Sequence, residues 1–228
     1  MSGLQSRQEC SRCGTCCMSN PPGLHPQDQA LYSAGVLQKE HLLTLRTGEL
    51  VWDNIQQRIL PLEQEMVRLQ ARPGSTACIF YQPLRRSCSI HGRHPLECRA
   101  QKCWDTRQVY QAYQQPRLDR LDLLPADSAL GRIIQEHEKI CPYPRVKELA
   151  EQILSAGLQA AEQELTGILQ ADLNMRGYLE QHADASRQEL LFLFGRRLLD
   201  TLPGLGLEAR QQAVGFEFRP CKLEGSKF

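Results

Sequence analysis

Apolar positions along the chain change their spacing near its middle. From about residue 128 onward they recur at helical intervals. Leu130, Ile133, Ile134 and His137 fall at i, i+3, i+4 and i+7 within 128–141, which predicts an amphipathic helix. Asp127 or Ser128 is placed to cap its start, and Pro142 stops it just after Cys141. Val146, Leu149, Ala150, Ile153 and Leu154 continue the pattern into a second helix, and Leu158, Ala161, Leu165, Ile168 and Leu169 mark a third. The stretch QELLFLFGRRLLDTL (188–202) predicts a fourth, apolar on most sides and therefore expected to be buried. LPGLGLEA reads as a break, and the tail GFEFRPCKLEGSKF shows no regular pattern.

The front of the chain is less periodic. Residues 26–46 read as helical, with Leu31, Val36, Leu37, Leu42 and Leu45 as apolar points and Gly35 and Gly48 as punctuation. EMVRLQ (65–70) and TACIFYQ (76–82) read as the two strands of a hairpin, with ARPGST as the turn between them. HPLECR reads as a short helical turn after Pro95. There is no internal repeat and no low-complexity segment.

Composition narrows the function. The chain has 228 residues, of which 41% are hydrophobic, enough to bury a real core. Lys and Arg number 27 against 26 Asp and Glu, a net charge of +1. Residues 1–110 carry 13 basic and 9 acidic side chains, and residues 111–228 carry 14 and 17. Neither half has the excess that attracts nucleic acid or anionic lipid, and no basic stripe accompanies the aromatic residues. No run of 18 apolar residues could cross a bilayer, and the first 20 residues lack an export signal. The expectation is a cytoplasmic protein without nucleic-acid or membrane partners. In that reducing compartment its ten cysteines are not expected to pair as disulfides.

The cysteines carry the chemistry. Nine of the ten lie at or before Cys141. ECSRCGTCCMSN places Cys10, Cys13 and Cys16 at two successive Cys-x-x-Cys intervals, each able to aim two sulfurs at one centre. Adjacent side chains diverge, so Cys16 and Cys17 serve different centres, or one of the two supports the other. Cys78, Cys88, Cys98 and Cys103 form a second group, and Cys141 adds a Cys-Pro step. Arg12, Arg93 and Arg99 stand beside thiols and can offset thiolate charge. His91 and His94 read as hydrogen-bonding residues rather than ligands. GLGLEAR is not a dinucleotide loop, since no strand precedes it. No Ser-His-Asp elbow, P-loop or paired-carboxylate site is present.

CSRCGTCC, then ACIFY, CSIHGRHPLECR and ICPYP, together resemble the CxxCxxCC family of zinc- or iron-chelating proteins, which includes the YkgJ-type cysteine-cluster proteins. The resemblance covers roughly residues 7–145. It implies metal ligands at Cys10, Cys13, Cys16, Cys17, Cys78, Cys88, Cys98 and Cys141, with Pro95 and Arg99 matching the family pattern. His94 stands where the family usually has Arg, and Cys103 falls outside the eight and is read as a supporting thiol.

The fold expected is α+β: a Cys-rich, metal-stapled N-terminal region (1–145) with a short β-hairpin, then a helical C-terminal region (146–228). The function expected is metal binding through an iron–sulfur cluster (4Fe-4S) or Zn2+, with the Cys-x-x-Cys-x-x-Cys run weighing toward iron–sulfur. Such a module would act through a protein partner. Two alternatives are a metal or cluster chaperone and a methyltransferase. The latter follows from the likeness of the cysteine region to flagellin lysine N-methylases, which use S-adenosylmethionine.

Overall fold

The computed structural model describes residue 10 and residues 13–222; Arg12 lies outside the described residues. Gly14, at φ 83, turns the chain into α1 (Thr15–Ser19). A Cβ at Gly14 would also collide with the Tyr81 hydroxyl, so backbone conformation and space both require glycine. A 3-10 turn (Pro26–Asp28) leads into α2 (Gln29–Ser33), which stops before Gly35 at φ 70.

The helix expected over 26–46 therefore ends at Ser33. Leu42–Leu45 is instead a strand, β1. Two segments far along the chain override the helical reading: β1 pairs with a strand more than 20 residues downstream, and a later helix packs on it. After β1 comes a hairpin that the apolar pattern did not reveal, β2 (Leu50–Asp53) and β3 (Arg58–Pro61). Its turn is built by Asp53, whose Oδ1 accepts from the Ile55 and Gln56 amides at 2.8 and 2.6 Å.

Met66–Leu69 is β4, and its partner is β1, in the antiparallel register Leu42↔Leu69 to Leu45↔Met66. This corrects the expected 65–70/76–82 hairpin. The chain does turn back at ARPGST, with Arg72 N donating to Ala77 O at 2.7 Å, but only one bridge, Ala71↔Cys78, forms across it. On its other edge β4 is held by different segments: Val67 O accepts from Leu24 N and Val67 N donates to Leu118 O, both at 2.8 Å, and Leu69 N donates to Pro22 O at 2.9 Å. Tyr81–Gln82 is β5 and pairs with β6 (Ser87–Cys88). As expected, a short helix follows Pro95, α3 (Leu96–Ala100). α4 (Arg107–Tyr113) comes next.

The back half follows its apolar spacing. α5 (Ala129–Ile140) is capped by Ser128, whose Oγ accepts from Gly131 N at 3.0 Å. α6 (Tyr143–Ala156) starts beyond Pro142 and ends at Gly157, φ 58. α7 (Gln159–His182) runs 24 residues, about 36 Å at 1.5 Å per residue. The helix expected over 188–202 is broken: α8 (Arg187–Phe194), with a Ser186–Glu189 capping box, stops at Gly195. Gly195 has φ 70, and a Cβ there would lie 2.9 Å from Thr44 O. The sequence resumes as α9 (Leu198–Thr201) and a 3-10 turn (Leu202–Leu205). The tail read as patternless contains the hairpin β7 (Leu207–Gln211) and β8 (Phe216–Pro220).

The fold is α+β, with the helical part behind the Cys-rich part. One apolar core joins Leu24, Leu42, Val67 and Leu69 to Leu190, Phe192 and Phe194 of α8, so it draws on both sides of residue 145. A second packs α6, α7 and α9 under β7. Among the described residues no helix is long and apolar enough to cross a membrane.

Between the cores run buried charges. Glu138 joins Arg46 and Arg120, both almost fully buried, and Arg120 also reaches Glu65 at 2.8 Å. Asp172 accepts from His137 Nε2 at 2.8 Å, Arg176 Nε at 3.0 Å and Leu198 N at 3.1 Å. Burial alone would raise the Asp172 carboxyl, but the His137 bond and the Arg176 charge outweigh it and hold it below its usual range. Asp172→Ala strands those donors without their acceptor and is expected to cost about 3–5 kcal/mol in a denaturant titration. Because the folded pKa is depressed, the carboxylate's contribution is complete above its ordinary value of about 3.9 and is lost as pH falls through the folded value. Acid unfolding of the Asp172→Ala chain should correspondingly shift less with pH in that window than that of the unaltered chain.

Candidate metal centre

Separated stretches of chain bring their cysteines to one place, and each is held by contacts behind it. The first is the 13–17 segment. Its Cys17 carbonyl accepts from Cys78 N at 2.7 Å, which ties α1 to the second stretch. There the β5–β6 ladder sets Cys88 directly opposite Tyr81, three residues past Cys78. The third is α3, which carries Cys98. Its first amide, Leu96 N, donates to Asp28 Oδ1 at 2.8 Å. Glu97, buried behind Cys98, accepts from Gly23 N at 2.8 Å, lies 3.2 Å from His25 Nε2 and pairs with Arg117. Arg99 Nη1 donates to His94 O at 2.6 Å, and its Nη2 lies 3.6 Å from Asp28. Arg99 thus fixes the loop before α3, in addition to any effect of its charge on the thiols. A turn with the bridge Lys102↔Asp105 then presents Cys103.

Cys10, Cys13, Cys16, Cys17, Cys78, Cys88, Cys98 and Cys103 all line a single cavity of roughly 410 Å3. Leu69, Tyr81, Trp104 and Val109 give it apolar walls, and His91 and His94 line it too. The two imidazoles stack on each other with centroids 5.1 Å apart. His94 Nδ1 accepts from Gly92 N at 3.1 Å, so that nitrogen is engaged with backbone. Burial, with the charges of His91 and Arg99, depresses the His94 imidazole.

Cys141 is elsewhere. It is fully buried at the end of α5, in the core of α6, α7 and α9, with Sγ 3.6 Å from Ile168 O. Its carbonyl accepts from Arg46. Burial pushes its thiol up to about 12. The structure therefore brings together seven of the eight cysteines singled out in the sequence, leaves Cys141 apart, and adds Cys103. In the sequence Cys103 stands in the second cysteine group with Cys78, Cys88 and Cys98, five residues after Cys98, although it falls outside the eight that the resemblance implies.

The thiols act on one another. The Cys17 thiol donates to Cys16, which lowers Cys16 below the usual thiol range and raises Cys17 well above it. Burial raises Cys98, and the charges of Cys78, Cys88 and Cys16 raise it further. Burial also raises Cys78, to about 11, and Cys88. These groups cannot all ionise together in a half-buried cavity without a cation. Among the described residues no three His, Cys, Asp or Glu side chains are already gathered closely enough to hold a metal ion. The cysteines line a space rather than a closed shell, and a metal would draw them inward. The donor set, soft sulfur with imidazole at its edge, fits zinc or iron and does not fit magnesium or calcium.

Residues 9–116 match the model of the CxxCxxCC family, described as a putative zinc- or iron-chelating domain. The match includes Cys103 and stops short of Cys141. No curated protein and no solved structure matches the chain.

Proposed function

We propose, on the premise that residues 9–116 are a CxxCxxCC zinc- or iron-chelating domain, that this protein holds an iron–sulfur cluster in its cysteine cavity. The thiolates would come from Cys10, Cys13, Cys16, Cys17, Cys78, Cys88, Cys98 and Cys103. The observation that supports this is the gathering of eight thiols from separate stretches of chain around one partly apolar space. The number of thiols favours a polynuclear group. A single zinc ion takes four ligands. Eight thiols on one cavity exceed what one such ion uses.

A bound cluster would supply one-electron chemistry and would clamp the stretches that line it. The chain's own part is to present thiolates, limit water through Leu69, Val109 and Trp104, and keep α3 in place through Glu97 and Arg99. Such a module suits a reducing, cytoplasmic setting and would work on or through a protein partner. Anaerobic purification followed by iron, zinc and acid-labile sulfide analysis tests the reading. Iron and sulfide in near-equal amounts, with visible absorbance, are expected. Zinc without sulfide in a colourless protein would overturn the cluster and leave a zinc site in the same thiols.

A further inference from the structure

A second cavity, of roughly 810 Å3, opens on the other side of Asn20, Asn54, Glu97 and Tyr113, which line both spaces. It lies within the usual range of small-molecule sites. Its floor is one face of the β1–β4 pair. Alternation along those strands sends Leu42, Thr44, Val67 and Leu69 into the core, where all four are buried. The opposite face presents Leu43 and Leu45 beside their partners Arg68 and Met66. The β2–β3 hairpin supplies another wall through Val51 and Leu60, with Trp52 partly exposed.

Arg68 is the anomaly on that face. It is a cation in the middle of a strand, set among Leu43, Leu45 and Met66. Its Nη2 donates to two neutral acceptors, Asn20 Oδ1 and Pro21 O. Its Nε is buried with no hydrogen-bond partner. Among the described residues no carboxylate lies within ion-pairing distance of it. Glu97, whose charge favours the Arg68 cation, is already taken by Gly23, His25 and Arg117, and Arg196 across the cavity opposes it. Arg196 in turn is paired with Glu49, Nε to Oε1 at 2.5 Å. Asp53 and Glu63 also line the cavity, but Asp53 is spent on its turn and Glu63 is exposed. An arginine with a buried, unpartnered Nε and no paired carboxylate is unfavourable unless something supplies an anion.

We propose that this second cavity binds a small organic monocarboxylate, its carboxylate against Arg68 and its apolar body along Leu43, Leu45, Val51 and Met66. One guanidinium without an ion pair matches one carboxylate, and the apolar walls match a hydrocarbon or aromatic body. Arg117 and Arg196 are held by carboxylates of the chain, so the site lacks the several open cations that a phosphate dianion would engage. A ligand anchored there would lie against the wall shared with the cysteine cavity, but its binding does not depend on the metal reading.

Phenylacetate and octanoate are suitable probes, with phenylacetamide as the uncharged counterpart of the first. The full chain, labelled with 13C in its methionine methyl groups, is titrated both metal-free and as purified. The expected result is saturable movement of the Met66 methyl with Met175 unmoved, and phenylacetate binding at least tenfold more tightly than phenylacetamide. Arg68→Met should lose that preference and Arg68→Lys should keep most of it. If Arg68→Met does not fold, the acid-to-amide contrast and Arg68→Lys decide the matter. Equal binding of acid and amide, absence of binding by both acids, or tighter binding of phenyl phosphate would overturn the proposal. So would movement only in metal-loaded protein, which would place the carboxylate on the metal.

Discussion

Cys103→Ser is expected to weaken metal retention by roughly tenfold or more, while Cys141→Ser leaves metal content unchanged. The family resemblance alone leads to the opposite expectation, because Cys141 is among the eight cysteines it picks out and Cys103 is not. The cavity reverses them. Cys103 stands on it with the other seven thiols, whereas Cys141 is packed beneath α7 and directs its sulfur at Ile168 O. For Cys141 to reach the cavity, α5 and α6 would have to leave a core in which Val146, Leu149 and Leu165 have no exposed surface. Replacing a buried thiol with a hydroxyl that keeps the Ile168 acceptor should cost stability only modestly, about 1 kcal/mol. Cys13→Ser and Cys98→Ser should fall with Cys103→Ser, since each removes a soft donor from the same space. Metal analysis of the purified variants, with a thermal melt to confirm folding, gives the answer. A folded Cys141→Ser protein that has lost its metal would place Cys141 in the coordination shell and exclude the arrangement described here.

What was legible in the sequence depended on whether the deciding interaction was local. α5 announced itself because its apolar stripe, its Ser128 cap and its Pro142 stop all lie within one stretch. α8 and α9 were harder: the stripe runs through both, and only the approach of the Thr44 carbonyl to Gly195, some 150 residues away in sequence, shows why the helix must break there. β1 failed for the same reason. LLTL fits helix or strand about equally, and the choice was made by β4, which is absent from any local window. The β7–β8 tail escaped notice although Leu207 and Ala209, and Phe216 and Phe218, alternate with polar residues, because each run is only five residues long. At the metal centre, Cys-x-x-Cys geometry is local and was readable, as was the group at Cys78, Cys88 and Cys98. The position of Cys103 against Cys141 is tertiary and was not. Arg68 looked like any strand arginine until its neighbours on the sheet were known to be Leu43, Leu45 and Met66.

Chelation of the metal is expected to unlock the cysteine-bearing stretches first and most. A structural metal can supply on the order of 10–16 kcal/mol of apparent binding free energy, as much as the whole net stability of a typical domain, about 5–15 kcal/mol. Beyond the Asp28, Glu97 and Arg99 contacts behind α3 and the packing of Ala77, Tyr81 and Ile90 on the core, little regular structure holds these stretches. α1 and α3 are five residues each, β5 and β6 two each, and the 13–17 segment is tied to Cys78 by the single bond from Cys78 N to Cys17 O. The α6–α7 core owes nothing to the cavity, since its apolar side chains pack on one another and under β7. Between these extremes lies the β1–β4 pair, which shares Leu69 with the cavity wall but is backed by Phe192 and Phe194 of α8. Hydrogen exchange after anaerobic chelation should therefore show a gradient. Amides from Cys78 to Cys103 should lose roughly a thousandfold in protection, about 4 kcal/mol. β1, β4 and α8 should lose less, and α6 and α7 should hold their values. Unchanged protection from Cys78 to Cys103 after verified metal removal would show that Glu97, Asp28 and Arg99 suffice to hold this region, and that the metal is cargo rather than a clamp.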